Sequence, residues 1–330
     1  MKKLNGKRLK RLLIILLILF AFHLMYIVYL LINDPHSSVT SLYEISDNKE
    51  QDDDTIHKAI VDTTSDSKSS IKDKISKEVK PKPNAIKKDG TFDSSKMESK
   101  LRNLKTPKIY NKPAHSTFGK QVAFIYFSHN RESFLPYFKQ GTAPESAYHS
   151  KFNITLVGKR LGHALKLNGI GNKVNTEDII SMLNESNLDF NSSYQMSRNL
   201  ILKEKMYNRN NDMYFDIHRD SLPREYTTTA IGGVRYAKIS FVVGSGHKDY
   251  KKNLKFTNDI NDLINKNYPN LSRGVILKSP SEGNGIYNQD LSPNSVIIEL
   301  GGVENQIDEL YRTADILANV ISQYYWENIH

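Results

Sequence analysis

Short apolar runs alternate with amphipathic stretches from Phe118 onward, and this alternation limits the fold more than any other feature of the 330-residue chain. The runs are Val122–Phe127, Met213–Ile217, Ala237–Val243, Gly274–Leu277 and Ser295–Ile298. Helical patterns are expected at Thr155–Leu167, around Gln195–Tyr207 and near Asn253–Asn267, with a last helix from about Asn305 to Tyr325. In that last stretch Ile307, Leu310, Tyr311, Ala314, Leu317 and Ile321 recur at spacings of three and four, which makes one apolar stripe. Strands apolar on both faces must be covered on both faces. The pattern therefore predicts an α/β domain over residues 118–330 around a mostly parallel sheet.

The first part of the chain is of another kind. Leu12–Ile32 is a run of 21 residues without a formal charge, enough helix to cross a hydrocarbon layer of about 30 Å. Lys2, Lys3, Lys7, Arg8, Lys10 and Arg11 precede it, and no Lys or Arg follows until Lys49. The positive-inside rule then places residues 1–33 as a cytoplasmic amino terminus and single-pass membrane anchor, with the remainder outside the cell. A cleaved signal peptide is disfavoured, because the run is too long and lacks a small-residue cleavage site. Residues 34–117 are rich in Lys, Asp, Ser and Thr and show little apolar periodicity, as expected of a flexible tether. Such a tether has a typical reach of about 50 Å.

The formal charge of +10 would suggest a nucleic-acid partner, but its distribution argues otherwise. Residues 121–330 hold 23 basic against 22 acidic side chains, and six of the excess cations precede the membrane run. The absence of cysteine excludes a disulfide scaffold, a thiolate nucleophile and cysteine zinc fingers. A metal would have to be held by His, Asp or Glu.

Three of the apolar runs end in chemistry. Val122–Phe127 leads into Ser128-His129-Asn130-Arg131-Glu132, Met213–Ile217 into His218-Arg219-Asp220, and Ser295–Ile298 into Glu299. Ligands of open α/β sheets sit beyond the carboxyl ends of the strands, so these segments converge on one rim. Two His and a Glu with an open position form a catalytic zinc composition, and a further carboxylate could serve as general base. Glu299 follows Val-Ile-Ile and needs a partner, since an unpaired buried carboxylate is costly. His163 reads as a surface or packing residue of its helix, and His149 and His247 as polar-loop histidines. His218-Arg219-Asp220 also spells a kinase triplet, but the accompanying kinase motifs are missing. A metal-independent hydrolase using Ser128 or Ser133 with His129 is a further alternative, without any Gly-x-Ser-x-Gly elbow to support it.

The strings Tyr126-Phe127-Ser128-His129-Asn130-Arg131-Glu132-Ser133, Asn153–Gly158, Asp216–Ser221, Tyr287–Leu291 and Ile298–Gly301 together strongly resemble the stage II sporulation protein P family. These are membrane-anchored peptidoglycan hydrolases of endospore-forming bacteria. The resemblance implies a zinc-dependent N-acetylmuramoyl-L-alanine amidase with the cell-wall-amidase fold, a three-layer sandwich around a mostly parallel sheet, thinning septal wall during engulfment at the sporulation septum. A second, endopeptidase activity is left open, as is a catalytically silent wall-binding module. The implied partners are peptidoglycan and stage II sporulation proteins D and M. Carried over residue by residue, the metal ligands are His129, Glu132 and His218, and the catalytic residue is Glu299. Glu145 is the alternative third ligand, because the broader amidase pattern has its Glu about fifteen residues after the first His. Glu132 is preferred for its place in the His-x-x-Glu-Ser string. Arg219, Tyr287, Asn288 and Gln289 are the expected substrate-binding residues.

Overall fold

The computed structural model describes residues 89–104, 106–110 and 113–329. Among them no helix is long and apolar enough to cross a membrane; the anchor expected at Leu12–Ile32 lies outside the described residues, as does the tether up to residue 88.

The chain builds a six-stranded sheet from β1 (Ala123–Tyr126), β2 (Asn172–Val174), β3 (Met213–Asp220), β6 (Ile239–Gly244), β7 (Ser272–Lys278) and β8 (Ser295–Gly302). Its order is β2-β1-β3-β8-β6-β7. The pairs β1–β2, β1–β3, β3–β8 and β6–β7 are parallel, and β6 runs antiparallel to β8. The sheet is thus mostly parallel, as the apolar runs required. The one reversal puts the carboxyl ends of β6 and β7 on the opposite rim from those of β1, β3 and β8. Gly244-Ser245-Gly246 and His247 follow β6 to that far rim. A separate hairpin, β4 (Thr228–Ile231) and β5 (Val234–Ala237), pairs antiparallel around Gly232 and Gly233.

Period-two alternation sorts the strand side chains. Ile125, Phe215, Ile217, Ile298 and Phe241 point into the main core, with α2 (Thr155–Leu167), α5 (Tyr250–Asn267) and α6 (Ile307–Asn328) packed over them. Phe124, Tyr126 and Tyr214 point to the other face, against Ile201 of α4 (Ser193–Tyr207). Helices therefore lie against both faces. The helix α3 (Ile179–Glu185) and α4 close a small core of their own through Ile180, Leu183, Met196 and Leu200. Gly301 (φ 73°) lets β8 end close to its surroundings: a Cβ there would lie 2.5 Å from Leu310 Cδ2.

The segment just before Phe118 departs from the expected tether. α1 (Ser94–Asn103) begins at Asp93, whose side chain caps Lys96 N, and buries Met97 completely in the main core. Phe92 stacks on Phe152, Asp93 N donates to Tyr137 O, and Ser150 donates to Asp89 from both its backbone N and its hydroxyl. Lys108 N donates to the buried Asp315. Met97 carries this docking with Phe92, Leu101, Leu104 and Tyr110, a short apolar set scattered through an otherwise polar stretch. A fragment beginning at Asp89 should accordingly be more stable than one beginning at Phe118. Met97→Ala should cost roughly 2–5 kcal/mol, the range for a fully buried methionine, as read from urea midpoints of the two fragments and the variant.

Candidate metal centre

β1 ends at Tyr126, and the chain turns at Ser128–Glu132 with Glu132 N donating to His129 O at 3.1 Å. That turn is laced to the segment ahead of α2: Ser133 N donates to Ala147 O, His149 N to Arg131 O and Ile154 N to Glu132 O. Asp178, at the N-cap of α3, accepts from Arg131 Nε and Nη2 and from Asn130 Nδ2, at 2.7–3.1 Å. His129 and Glu132 are therefore carried on a loop fixed from two sides.

β3 supplies the second imidazole. Asp216 and His218 sit two residues apart on the same face, and His218 lies in register with Glu299 of β8. Asp216 is fully buried. It accepts from Ser128 N at 2.8 Å and from Ser128 Oγ at 2.7 Å, and its Oδ1 stands 3.1 Å from His218 Nε2. Ser128 Oγ is 2.9 Å from the same Nε2. With Nε2 engaged, His218 presents Nδ1 to Glu132 Oε2 at 3.7 Å, while Glu132 Oε1 faces His129 Nδ1 at 3.5 Å. Arg219 N donates to Glu132 Oε2 at 3.0 Å and fixes the carboxylate between the rings. One ligand atom each from His129, Glu132 and His218 falls within 4.8 Å of the others, which is a metal-binding spacing.

The electrostatics show how strongly these groups are coupled. Burial alone would raise the Glu132 pKa, but His218, the hydrogen bonds to both imidazoles and Arg219 outweigh it and hold it below the usual carboxylate range. Burial alone would lower His218, yet Asp216 and Glu132 raise it well above 6.5. Glu299 is pushed up to about 7 by burial first; Glu132 and Asp220 push the same way, against His218 and Arg219. Its Oε2 is enclosed without a hydrogen-bond partner among the described residues.

The expected ligands His129, Glu132 and His218 thus meet, with Glu299 beside them. Glu145 lies exposed on the turn Pro144–Ser146, outside this cluster. The four residues expected to touch substrate direct their polar groups into the protein instead. Arg219 donates from Nε to Ser133 O and from Nη2 to Pro144 O and Ala147 O. Gln289 binds the β6 backbone at Gly244 N and Val242 O, and Asn288 donates to Tyr194 O and Ser197 Oγ. Tyr287, with Asn288 in the left-handed region (φ 54° and 58°), packs on Tyr194 and Val242. Polar residues beside a strand end look like ligand contacts, but here they satisfy buried backbone.

The other serines and histidines also find structural uses. Ser133 Oγ donates to Phe152 O at 2.6 Å, and His149 Nδ1 accepts from Lys151 N and Phe152 N. His163 is exposed on α2. Ser128 and Asp216 address the same nitrogen of His218, whereas a nucleophilic triad needs them on opposite nitrogens. Asp216 was not anticipated, although Asp-x-His on a strand is the spacing that puts both on one face. Phe190 and Tyr194 were also missed: Phe190 stacks on His129 at 4.7 Å, and Tyr194 meets His129 edge-on at 5.3 Å.

Fold and site together define an α/β protein with a His–Glu–His cluster at the carboxyl ends of parallel strands. The chain belongs to the stage II sporulation protein P family, whose model matches residues 33–322. A stage II sporulation protein P of Bacillus subtilis (strain 168) is 44% identical over 215 residues, 65% of this chain and 54% of that protein. The chain therefore spans about half the length of this curated relative. Among solved structures, N-acetylmuramoyl-L-alanine amidase AmiC2 of Nostoc punctiforme aligns at TM-score 0.36 and 11% identity, covering 63% of this chain and 98% of its own. A metallo-carboxypeptidase from Burkholderia cenocepacia aligns at 0.33 and 12%, covering 64% and 58%. Likenesses this slight do not define chemistry.

Asp216→Asn should weaken metal binding about 10- to 100-fold, the usual effect of losing a carboxylate behind a ligating histidine. Competition with a chromogenic chelator measures it, and an unchanged circular dichroism spectrum separates it from unfolding.

Proposed function

We propose that the chain is a zinc-dependent N-acetylmuramoyl-L-alanine amidase, hydrolysing the lactyl amide between glycan and stem peptide. The observation that carries this reading is the His129–Glu132–His218 cluster, with Glu299 in register beside His218, in a chain of the sporulation family. The residues suit a zinc ion: two imidazoles and one carboxylate within reach of each other, a ring held by Asp216, and an orphaned carboxylate oxygen on Glu299. Zinc held by His129, Glu132 and His218 supplies Lewis acidity, which polarises an amide carbonyl and acidifies water.

The protein's own residues do the rest. Glu299, unpartnered at Oε2, takes a proton from the attacking water and delivers it to the departing amine. Asp216 and Ser128 hold the His218 ring, and the Arg219 peptide N–H holds Glu132. Phe190 and Tyr194 close one flank of the cluster against water.

In this reading the helices on both faces form the three-layer cell-wall-amidase arrangement. Leu12–Ile32 anchors the chain in the cell membrane at the sporulation septum, with the catalytic domain outside and stage II sporulation proteins D and M as partners. The substrate is septal peptidoglycan, thinned during engulfment. Cleavage of cross-linking peptides at the same centre would be a second activity, and the bonds cut distinguish the two.

His129→Ala, Glu132→Ala and His218→Ala should each lose zinc and wall digestion together. Glu299→Gln should keep its zinc while the rate falls on the order of 100- to 10,000-fold, and Glu145→Ala should be mild. Metal analysis beside mass spectrometry of digested peptidoglycan checks all five. Zinc lost from Glu299→Gln, or full activity of Glu132→Ala, would reassign the roles. Products lacking a freed stem-peptide amine would refute the amidase reading.

A further inference from the structure

Beyond the carboxyl ends of β3 and β8 lies an open cavity of about 600 Å3, lined by Pro223, Arg224, Glu225, Thr228, Arg235 and Glu304. It is fixed to the sheet. A Cβ at Gly302, the last residue of β8, would lie 2.6 Å from Leu222 O and from Thr227 Cγ2, so the segment above it rests directly on the strand. Gly232 and Gly233, both at positive φ, fold the β4–β5 hairpin tightly enough to set Arg235 opposite Ala230, and Thr228 opposite Ala237.

Its charges are unevenly satisfied. The Arg224 guanidinium is paired with Glu309, and Glu304 Oε2 accepts only a backbone N–H, from Arg224 at 2.7 Å. Arg235 is exposed, and among the described residues its guanidinium meets no carboxylate at ion-pair distance. Glu225 is likewise exposed. The cavity therefore offers one uncommitted guanidinium facing carboxylates, which is complementary to a ligand bearing both a carboxylate and an ammonium group.

Its distance from the metal centre suits a peptide. Glu299 stands opposite His218, and Glu304 follows Glu299 by five steps of chain, which bounds the span at no more than about 18 Å. An extended peptide of four or five residues covers that distance. We propose that this cavity is a subsite for the distal part of the stem peptide, holding a residue that carries both an ammonium and a carboxylate. Arg235 would take the carboxylate, and Glu225 and Glu304 the ammonium. The proposal rests on the hydrolase reading for what the peptide is, but its test does not need hydrolysis.

The probe is N-acetyl-alanyl-glutamyl-lysine, compared with the same peptide acetylated on the lysine amine and amidated at its carboxyl end. Titration calorimetry on the purified full chain, with and without chelator, reads both dissociation constants. The free peptide should bind more tightly than the blocked one. Arg235→Glu should weaken the free peptide roughly two- to fivefold and Arg235→Lys should restore most of it, as exposed charge pairs are worth about that much. On walls the same Arg235→Glu should raise KM and leave kcat unchanged. Equal affinity for the two peptides, or no loss in Arg235→Glu, overturns the subsite. A chain that separates the two peptides but digests no wall keeps the subsite and refutes the hydrolase reading. One that digests walls without separating the peptides refutes the subsite alone.

Discussion

Everything at the site depends on the parallel register of β3 between β1 and β8. Asp216 pairs with Tyr126 on one side and Ile297 on the other, and His218 pairs with Glu299. Ser128 and His129 follow immediately beyond the end of β1, which is why Ser128 can reach Asp216 at all. A one-residue slip of β3 would turn Asp216 and His218 into the main core and expose Phe215 and Ile217. The apolar face that stabilises the sheet thus also sets the geometry of the polar one.

That polar face carries more negative charge than the protein's own cations can answer. Glu132, Asp216 and Glu299 share a small volume with two imidazoles, and the Arg219 guanidinium is spent on loop carbonyls. Buried carboxylates need compensation. Burial works against the charged form of His218, but Asp216 and Glu132 raise it well above the usual imidazole range, and Glu299 is pushed up to about 7 by burial first. A divalent cation would compensate the same carboxylates with both imidazoles neutral, the form in which histidine ligates. The ligand spacing would also suit such an ion.

The residues at strand ends were legible because buried parallel strands write themselves as unbroken apolar runs, so His129, His218 and Glu299 stood out at the breaks. Glu132 was legible from its local string. The antiparallel setting of β6 was not, since period and composition say nothing of direction. β2, with only Asn172, Lys173 and Val174, and the hairpin around Gly232 are too short for any period to show. α1 was hidden in a polar stretch because only Met97 of the helix is fully buried, with Leu101 and Leu104 half-buried beside it. The internal bonds of Arg219, Asn288 and Gln289 were hidden for a related reason: a sequence shows that a residue is polar, but not whether its partner is a ligand or the protein's own backbone.

Those internal bonds bear on the site at one remove. Asn288 ties the loop before β8 to Tyr194 O and Ser197 Oγ, and Gln289 ties the same loop to β6. Together they hold the first turn of α4 against the sheet, and with it Tyr194 above His129 and His218. Phe190, just ahead of α4, is fixed by the small core of α3 and α4 and covers the His129 ring. That flank is closed by side chains whose own packing is independent of the main core. Glu132 and His218 are buried beneath it, while His129 and Glu299 stay partly exposed and Glu299 Oε2 is enclosed. The side chains nearest to solvent are therefore His129 and the outer part of Glu299, at the rim where β8 runs on toward Glu304 and the hairpin.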